Sequence, residues 1–439
     1  MQQTPPNSAD ERIDTATPPA QRLSRVIVAT ALVGGLEIFD FTIFGFFAAT
    51  IGEQFFPSTD PMTSLLLAAG TFGVGFFMRP LGAILIGAYA DRVGRRTAMT
   101  TTCWLMALGT AMIGFCPPFS AIGLAAPVIV ALGRAVQGFA AGGELGAGAS
   151  YLLEAGSVAR RGFRVSWQLA GQASAALLGA LLGVLVTSTL SPAHLASWGW
   201  RIPFFVGLLV APLAIYVRRQ LREIPLPVVT QAMNVRHRAP LVELWHDHRR
   251  TLILATFTMI WHTVTVYVVV YYMPSYLMRV MHLPAAVGFR SAALSALLLA
   301  IVSPMSGLLA DRLPRRKPLV LATSGAIALL VVPVFMTITR MPGTLPLLLG
   351  VGVICVLLAL GTSVNLLLVL EALPARLRAS GLATSMAVAV ALFGGTSQFV
   401  VTALIKWTGN PLSAAWYVAL ACTTSFCALV LFGERSRGG

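Results

Sequence analysis

The chain has 439 residues, of which 56% are hydrophobic and 11% charged, and its mean hydropathy is +0.80. Soluble domains carry roughly 25% charged residues, so this composition excludes an ordinary soluble protein. The formal net charge of +15 does not indicate nucleic-acid binding, because most basic residues lie in the termini and in every second loop between apolar runs.

The apolar runs are long enough to cross a bilayer, which takes about 20 residues in a helix. They lack the alternating pattern of barrel strands, and backbone polar groups in hydrocarbon must be bonded within their own segment. The sequence therefore predicts an all-α membrane protein with twelve transmembrane helices in two pseudo-symmetric six-helix bundles. In chain order, the predicted spans lie near 26–52, 64–90, 97–117, 121–154, 165–190, 202–217, 251–279, 285–310, 318–339, 344–372, 379–405 and 411–433.

These spans divide the chain into five predicted parts. They are a disordered cytoplasmic N-terminus (1–25), an N-terminal bundle (26–217), a cytoplasmic central loop (218–250), a C-terminal bundle (251–433) and a cytoplasmic tail (434–439). The first apolar run begins near Val26 and is predicted as a retained span, not a cleaved signal peptide.

The distribution of basic residues predicts the orientation, because short cytoplasmic loops are enriched in Lys and Arg. Both termini are predicted to lie in the cytoplasm. The basic residues that do not follow the alternation are Arg79, Arg134, Arg201, Arg279, Arg290, Arg340 and Lys406. The five cysteines lie in or at the ends of apolar runs without ligand-like spacing, which is typical of small buried side chains, and we predict no metal site.

Two related stretches end long apolar runs at corresponding places in the two halves. They read Gly87-Ala-Tyr-Ala-Asp91-Arg92-Val-Gly94-Arg95-Arg96 and Gly307-Leu-Leu-Ala-Asp311-Arg312-Leu-Pro-Arg315-Arg316. Together they predict a duplicated bundle with short basic loops on one side, an arrangement typical of a solute transporter. We interpret the charged residues at these helix ends as gating residues that latch helices together, with a plain solvated loop as the alternative. They are Asp91, Arg92, Arg95, Arg96, Asp311 and Arg312, and Glu371 and Arg378 are interpreted in the same way elsewhere in the second half.

Ionisable groups inside apolar spans are costly and usually face a cavity or a partner. Glu37 and Asp40, three residues apart in the first span, are interpreted as proton-coupling residues, or as structural partners of Arg79 or Arg134. Glu144 is a third candidate acid, with a structural or gating role equally open. When all three acids are ionised, their charges and those of Arg79 and Arg134 sum to −1. Protonation of an acid therefore favours binding of an anionic solute, and the solute favours protonation. Such mutual stabilisation is what symport requires.

Arg134, near the middle of the fourth span, is the predicted substrate anchor. Its guanidinium stays charged and holds a carboxylate through two parallel hydrogen bonds. Arg79 in the second span is either a second carboxylate clamp or a counter-ion for Asp40. Further candidate substrate contacts in the spans, for which a purely structural role stays open, are Gln137, Gln168, Gln172, His262, Tyr267, Tyr271, Asn365 and Gln398.

Several spaced motifs are similar to the major facilitator superfamily, in particular its metabolite:proton symporter branch, over nearly the whole chain beyond residue 25. Besides the two loop stretches, they are Glu37-Ile-Phe-Asp40-Phe41-Thr-Ile-Phe44-Gly45, Met78-Arg79-Pro80-Leu-Gly82, Gly133-Arg134…Gln137-Gly138…Gly142-Gly143-Glu144, Trp198-Gly-Trp200-Arg201-Ile-Pro203-Phe204-Phe205 and Glu371…Pro374…Arg378…Gly381. Within the branch, the chain most resembles citrate and tricarballylate carriers. It departs from the branch at Gly34, where Asn is frequent, and at Pro314, where Gly is usual.

The resemblance implies a bacterial inner-membrane symporter that imports a small di- or tricarboxylate with protons by alternating access. Uptake of a zwitterion such as proline or betaine is the alternative, followed by drug efflux and by a non-transporting receptor. No nucleotide-binding Gly-rich loop is present in the sequence, so the expected energy source is an ion or solute gradient. The expected partners are a carboxylate solute, the proton and the lipid bilayer, without a cofactor or nucleic acid; Na⁺ is not excluded, and a monomer suffices.

Overall fold

The computed structural model describes residues 35, 37–93, 95–142, 160–208, 212, 240–341, 343–374 and 377–434. All regular elements in these ranges are helical. The first half contains α1 (37–46), α2 (Ala48–Phe55), α3 (Pro61–Val93), α4 (Arg95–Gly114), α5 (Phe119–Ile122), α6 (Ala125–Gly142), α7 (Arg161–Thr189), α8 (Pro192–Ser197) and α9 (202–208). The second half contains α10 (Pro240–Asp247), α11 (Arg249–Thr265), α12 (Met273–Arg279), α13 (Ala285–Arg312), α14 (Lys317–Arg340), α15 (Thr344–Ala372), α16 (Arg378–Ala389), α17 (Gly395–Thr408) and α18 (Ser413–Leu431).

Within the described ranges, nine helices are long and apolar enough to cross a membrane. Many large apolar side chains point outward, such as Leu329 and Trp407, which are 77% and 80% exposed. In lipid, such side chains are in their preferred solvent. The predicted all-helical membrane protein is confirmed. The predicted termini, most of the central loop and the ends of the first, fourth and sixth predicted spans lie outside the described residues.

The predicted central loop contains a helix that the sequence analysis missed. Pro240–Asp247 forms α10, and its Leu244 is fully buried in a small cluster with Leu252, Leu373 and Leu377. Burial of this leucine ties the segment before the second half to the ends of α15 and α16. The helix is short, and its apolar face was obscured by the surrounding His and Arg residues.

Two long spans are interrupted by wider π-helical turns, which the sequence did not predict. Val266–Tyr271 separates α11 from α12, and Val390–Gly394 separates α16 from α17. The two turns lie against each other, since a Cβ on Gly394 would be 2.4 Å from Thr263 Cγ2 and 3.1 Å from Tyr267 Cε2. Such turns are frequent at functional sites, and here one of them carries Tyr267.

Glycines bring α3 and α6 into direct backbone contact. A Cβ on Gly138 would lie 1.8 Å from the carbonyl oxygen of Gly75, and one on Gly142 would lie 2.0 Å from that of Arg79. Small residues permit this close approach of membrane helices. The contact places Arg79 on α3 and Arg134 on α6 side by side.

We expect Gly138→Ala to destabilise the N-terminal half, because the new methyl group has no room against the backbone of α3. Overpacking of this kind costs roughly 1–3 kcal/mol, which thermal unfolding of the detergent-solubilised protein would detect as a lowered midpoint. Gly352→Ala is the matched control, since its Cβ meets only Leu298 Cδ1 at an ordinary 3.5 Å. Equal unfolding midpoints for the two variants would contradict the close contact.

The two halves meet along α7 and α13. At one end, a Cβ on Gly162 would be 2.6 Å from the carbonyl oxygen of Gly307, and at the other, Gly183 lies against the ring of Phe289. We call the end of the molecule that contains Asp60 the Asp60 end, and the opposite end the Asp311 end. The Arg79–Arg134 pair lies between these two ends.

Candidate functional site

Arg79 forms an ion pair with Glu37, which joins α3 to α1. Its Nη2 lies 2.7 Å from Oε1 of Glu37, and the two side chains are 6% and 12% exposed. This ion pair is the structural pairing of Glu37 with Arg79 that the sequence analysis left open beside the proton-coupling interpretation. Residues three apart on a helix differ by about 60° in direction, so Glu37 reaches α3 whereas Asp40 turns toward α4 and α9.

Asp40 is 7% exposed and is held by a hydroxyl group. Thr110 on α4 donates a hydrogen bond from Oγ1 to Oδ2 of Asp40 over 2.8 Å. The other oxygen, Oδ1, faces the backbone of α9. A Cβ atom built on Gly207 of that helix would lie 2.7 Å from Oδ1. In the part of the chain that the structure describes, Oδ1 has no hydrogen-bond partner. The carboxyl group is thus only half satisfied by the described residues.

Arg134 is completely buried and is bonded to its own helix neighbour. Its Nη1 donates to Oε1 of Gln137 over 2.8 Å, and Nε2 of Gln137 donates to Oγ1 of Thr110 over 2.9 Å. The guanidinium also lies over aromatic faces, which attract cations. The distances from its Cζ to the ring centroids are 4.2 Å for Phe41, 4.7 Å for Phe44 and 5.0 Å for Phe72.

One edge of the Arg134 guanidinium makes no hydrogen bond to the described residues. Among the described residues, neither Nε nor Nη2 has a hydrogen-bond partner. These two nitrogens form the side edge of the guanidinium plane, and a carboxylate can accept two parallel hydrogen bonds from that edge. In the predicted anchor, Gln137 thus fixes the third nitrogen, and the two nitrogens of the carboxylate-binding edge have no hydrogen-bond partner among the described residues.

Tyrosines from the second half cover this arginine pair. The ring of Tyr267 contacts Phe72 and Phe76, with centroids 6.0 and 5.4 Å apart. Tyr271 lies 5.2 Å from Tyr267 and 6.2 Å from Phe46. The predicted Tyr267 and Tyr271 therefore do face the first half, and the arginine pair is closed off between the two halves.

Gln398 on α17 is a second polar group at this boundary. Its amide is fully buried, and neither its nitrogen nor its oxygen has a partner in the described ranges. A Cβ on Gly45 would lie 2.9 Å from its Nε2, so the amide faces α1 of the other half. An unpaired buried amide is costly, and a polar group of a solute would relieve that cost.

The remaining predicted contacts have no described hydrogen bond to the arginine pair, or they lie outside the described residues. Asn365 donates from Nδ2 to the carbonyl oxygen of Thr258 over 2.8 Å, which joins α15 to α11 within the second half. His262 is buried beside Trp261. Gln168 and Gln172 are half-buried on α7. Glu144 lies outside the described residues.

Ion pairs join the two halves at the Asp60 end. Nζ of Lys406 lies 2.8 Å from Oδ2 of Asp60, and Arg279 pairs with Glu53. A cavity of about 480 Å³ opens there, lined in part by Asp60, Arg279 and Lys406. Hydrogen bonds from Lys406, Thr63 and the backbone N–H of Met62 lower the pKa of Asp60 to about 2.

We expect the Asp60–Lys406 contact to be insensitive to ordinary acidity. A lowered pKa means that its stabilisation is complete above the unfolded value, about 3.9, and is lost only as the pH falls through about 2. The loss of melting temperature caused by Asp60→Asn should therefore be the same at about pH 5 and about pH 8. A loss that shrinks toward pH 5 would contradict this assignment.

At the Asp311 end, one carboxylate joins the two halves. Asp311 accepts the backbone N–H groups of Gly162 and Phe163 through Oδ1 and Oδ2, at 2.7 and 2.9 Å. These N–H groups belong to the first turn of α7, where a negative charge is favourable. The predicted latch at Asp311 thus contacts a helix N-terminus in the opposite half, and its neighbour Arg312 is exposed.

Glu371 and Arg378, the other two predicted gating residues of the second half, also make contacts near the ends of their helices. Glu371 forms an ion pair with Arg316, and Arg378 donates from Nε to the carbonyl oxygen of Leu373 over 3.2 Å. The loop arginine comes from the segment after α13, which sequence spacing alone does not place beside α15. Asp91, Arg92, Arg95 and Arg96 lie in α3 and α4, and the positions of their side chains lie outside what the structure describes.

Sequence reasoning missed Thr110, and it missed Phe72 and Phe76 beside the arginines, although Phe41 and Phe44 were part of the first-span motif. Threonine is frequent in apolar helices, where its hydroxyl group bonds the carbonyl of the preceding turn. The signal that could have identified Thr110 is its position opposite Gln137 on the neighbouring span. That position becomes apparent only when the packing of α4 against α6 is known. Phe72 and Phe76 likewise looked like ordinary lipid-span residues.

Comparison with known proteins places this arrangement in a family. The chain is 36% identical over 413 residues to a citrate-proton symporter of Salmonella typhi, with 92% of each chain covered. It is 33% identical to an alpha-ketoglutarate permease of Escherichia coli (strain K12), with 98% of each covered. A proline/betaine transporter of the same strain is 30% identical, over 94% of this chain and 84% of that protein.

A solved structure shows the same fold. The partially occluded, inward-open xylose transporter XylE from E. coli superposes with a TM-score of 0.75, over 96% of this chain and 99% of that one, at 14% identity. The family model described as Major Facilitator Superfamily matches residues 30–396. The chain therefore belongs to the Major Facilitator Superfamily and is a membrane transporter, not an enzyme.

Proposed function

We propose that this transporter imports a small di- or tricarboxylate, such as citrate or tricarballylate, together with protons by alternating access. The observation that carries the proposal is the open side edge of Arg134, a buried guanidinium with two unpartnered nitrogens among the described residues. Arg79 lies beside it and supplies a second positive charge. The relatives named for citrate and alpha-ketoglutarate agree with a carboxylate solute.

Asp40 is the better candidate for the proton site. Glu37 is ion-paired with Arg79 at 2.7 Å, which stabilises its ionised form. Asp40 is buried with one oxygen unsatisfied, which disfavours the charged form. A proton on Asp40 removes the negative charge nearest to the Arg134–Gln137 unit, and Arg134 then attracts a solute carboxylate more strongly.

The arrangement of charges also supports the orientation that the sequence predicts. We place the Asp311 end and both termini in the cytoplasm of a bacterium, and the Asp60 end outside the inner membrane. Contacts at both ends close the arginine pair from either side, so solute entry requires the halves to separate at one end. A single chain contains all of these groups, and a monomer suffices.

The alternative is symport of a zwitterion, which a proline/betaine relative supports. A zwitterion brings a cationic group as well as a carboxylate, and two buried guanidinium groups repel that cation. Fixed cations also disfavour drug efflux of cationic compounds. The arginine pair therefore favours a solute with more than one carboxylate.

Uptake by the purified chain in proteoliposomes tests the proposal. With an acidic exterior, labelled citrate should accumulate, and an uncoupler should abolish accumulation whereas replacement of Na⁺ by choline should not. Unlabelled tricarballylate and alpha-ketoglutarate should compete, and proline and betaine should not. Accumulation that is indifferent to the uncoupler, or competition by proline alone, would refute the proposed function.

A further inference from the structure

An unbroken row of hydrogen bonds links the proposed proton site to the proposed solute anchor. Arg134 Nη1 donates to Gln137 Oε1, Gln137 Nε2 donates to Thr110 Oγ1, and Thr110 Oγ1 donates to Asp40 Oδ2. The donor–acceptor distances are 2.8, 2.9 and 2.8 Å in that order. The row joins α6 to α4 and α4 to α1.

Chemistry fixes the direction of this row while Asp40 is ionised. A guanidinium can only donate and a carboxylate can only accept, so the row runs from Arg134 to Asp40. Each group between them accepts one bond and donates the next, and such chains polarise each other. An ionised Asp40 thereby strengthens the bond that holds Arg134 to Gln137.

The proton of Thr110 has two acceptors within reach. Its Oγ1 lies 2.8 Å from Asp40 Oδ2 and 2.9 Å from the carbonyl oxygen of Met106 in its own helix. A hydroxyl group has one proton and two lone pairs, and it rotates to suit its partners. If Asp40 carries a proton on Oδ2, it becomes the donor, and Thr110 must accept from it and donate to Met106 instead.

We propose that Thr110 is the positioning residue that couples the proton to the solute, through this reversal of its hydroxyl group. Protonation of Asp40 turns the hydroxyl toward Met106 and removes the carboxylate that polarised the row. The bond from Arg134 Nη1 to Gln137 weakens, so Gln137 offsets less of the positive charge of Arg134, and the Nε–Nη2 edge binds a carboxylate more tightly. The inference deepens the proposed function and rests on it.

The other groups around Asp40 set the background for this switch. Glu37 lies on the same helix, Arg134 faces it from α6, and Arg79 lies on α3 next to Glu37. Tyr267 faces the arginines from the π-helical turn, and Gly207, which does not titrate, faces Asp40 from α9. In contrast to these neighbours, Thr110 donates a hydrogen bond directly to the carboxylate of Asp40.

The decisive variant is Thr110→Val, which keeps the shape of the side chain and removes the hydroxyl group. Binding of labelled citrate to the purified protein should be measured at acidic and at alkaline pH, and the ratio of the two Kd values is the coupling factor. Couplings of this kind are typically about 5–150-fold. We expect Thr110→Val to bring the ratio close to one and Thr110→Ser to preserve it.

Thr71→Val is the matched control, because the Thr71 hydroxyl bonds the carbonyl oxygen of Leu67 in its own helix over 2.9 Å. It should leave the ratio unchanged. If Thr110→Val does not fold, Gln137→Met breaks the same row at another bond and should also bring the ratio close to one. A wild-type ratio in either folded variant would overturn the inference.

A second measurement needs no solute and separates the two possible failures. Infrared spectra of the protein in lipid should contain a protonated-carboxyl band that Asp40→Asn removes. In Thr110→Val, the Asp40 carboxyl group loses its hydrogen bond to residue 110, so the band should shift to higher frequency. In Thr110→Ser, the hydroxyl group is retained and the band should not shift. An unshifted band overturns the inference, whereas a shifted band in a protein that shows no pH-dependent citrate binding overturns only the proposed function.

Discussion

The Arg134→Lys variant is expected to lose high-affinity binding of citrate although it keeps the positive charge. A lysine ammonium is a point charge and cannot present two parallel N–H groups in one plane. In the native site, the Nε and Nη2 edge is free for such a pair because Nη1 is bonded to Gln137. Charge-assisted hydrogen bonds contribute roughly 1.5–3 kcal/mol each, so Kd should rise about 100-fold or more.

Equilibrium binding of labelled citrate to the purified variant checks this expectation. Arg290→Lys is the matched control, since Arg290 is exposed on α13 and its replacement should leave Kd unchanged. Arg134→Gln, which loses the charge as well, should bind more weakly still, and the difference between the two variants separates the loss of geometry from the loss of charge. A lysine variant with native affinity would show that Arg134 acts only as a charge.

The Asp40→Asn variant is expected to separate solute movement from proton movement. Asparagine mimics the protonated acid in shape and cannot exchange a proton, so Thr110 loses its carboxylate acceptor. Citrate exchange across the membrane should persist, whereas accumulation driven by a pH gradient should disappear. A pH-sensitive dye inside proteoliposomes should show no proton entry when citrate is added outside.

Asp60→Asn provides the control for removal of an aspartate carboxylate from the same half. Asp60 contacts Lys406 at the Asp60 end, so citrate-driven proton entry should be retained in this variant. Glu37→Gln tests the rival acid. If Glu37→Gln abolishes proton entry and Asp40→Asn does not, the proton site belongs to the Glu37–Arg79 pair.

The sequence was sufficient to predict the membrane helices and the two buried arginines. Spans need long apolar runs, and a charge such as Arg134 in the middle of one is conspicuous. It was not sufficient to predict partners, because partners depend on how helices rotate about their axes. A difference of about 60° decides that Glu37 meets Arg79 and Asp40 meets Thr110.

The two π-helical turns were equally impossible to predict from the sequence. The π-helical turns at Val266–Tyr271 and Val390–Gly394 interrupt sequences that are uniformly apolar. The hydrophobic periodicity of these segments therefore contains no signal of an extra residue in a helical turn. The contact of α3 with α6 was partly visible, because Gly138 and Gly142 repeat at four-residue spacing. Their partner helix, however, emerges only from packing.

The pairing of the buried charges has an electrical consequence. Among the described residues of the site, two carboxylates, Glu37 and Asp40, face two guanidinium groups, Arg79 and Arg134, so these four groups sum to zero when neither a proton nor a solute is bound. A neutral centre can be re-exposed from one side to the other without moving net charge through the field of the membrane potential. Sensitivity to voltage should therefore reside in the step that carries proton and solute, and the return of the empty carrier should proceed at the same rate in polarised and depolarised vesicles.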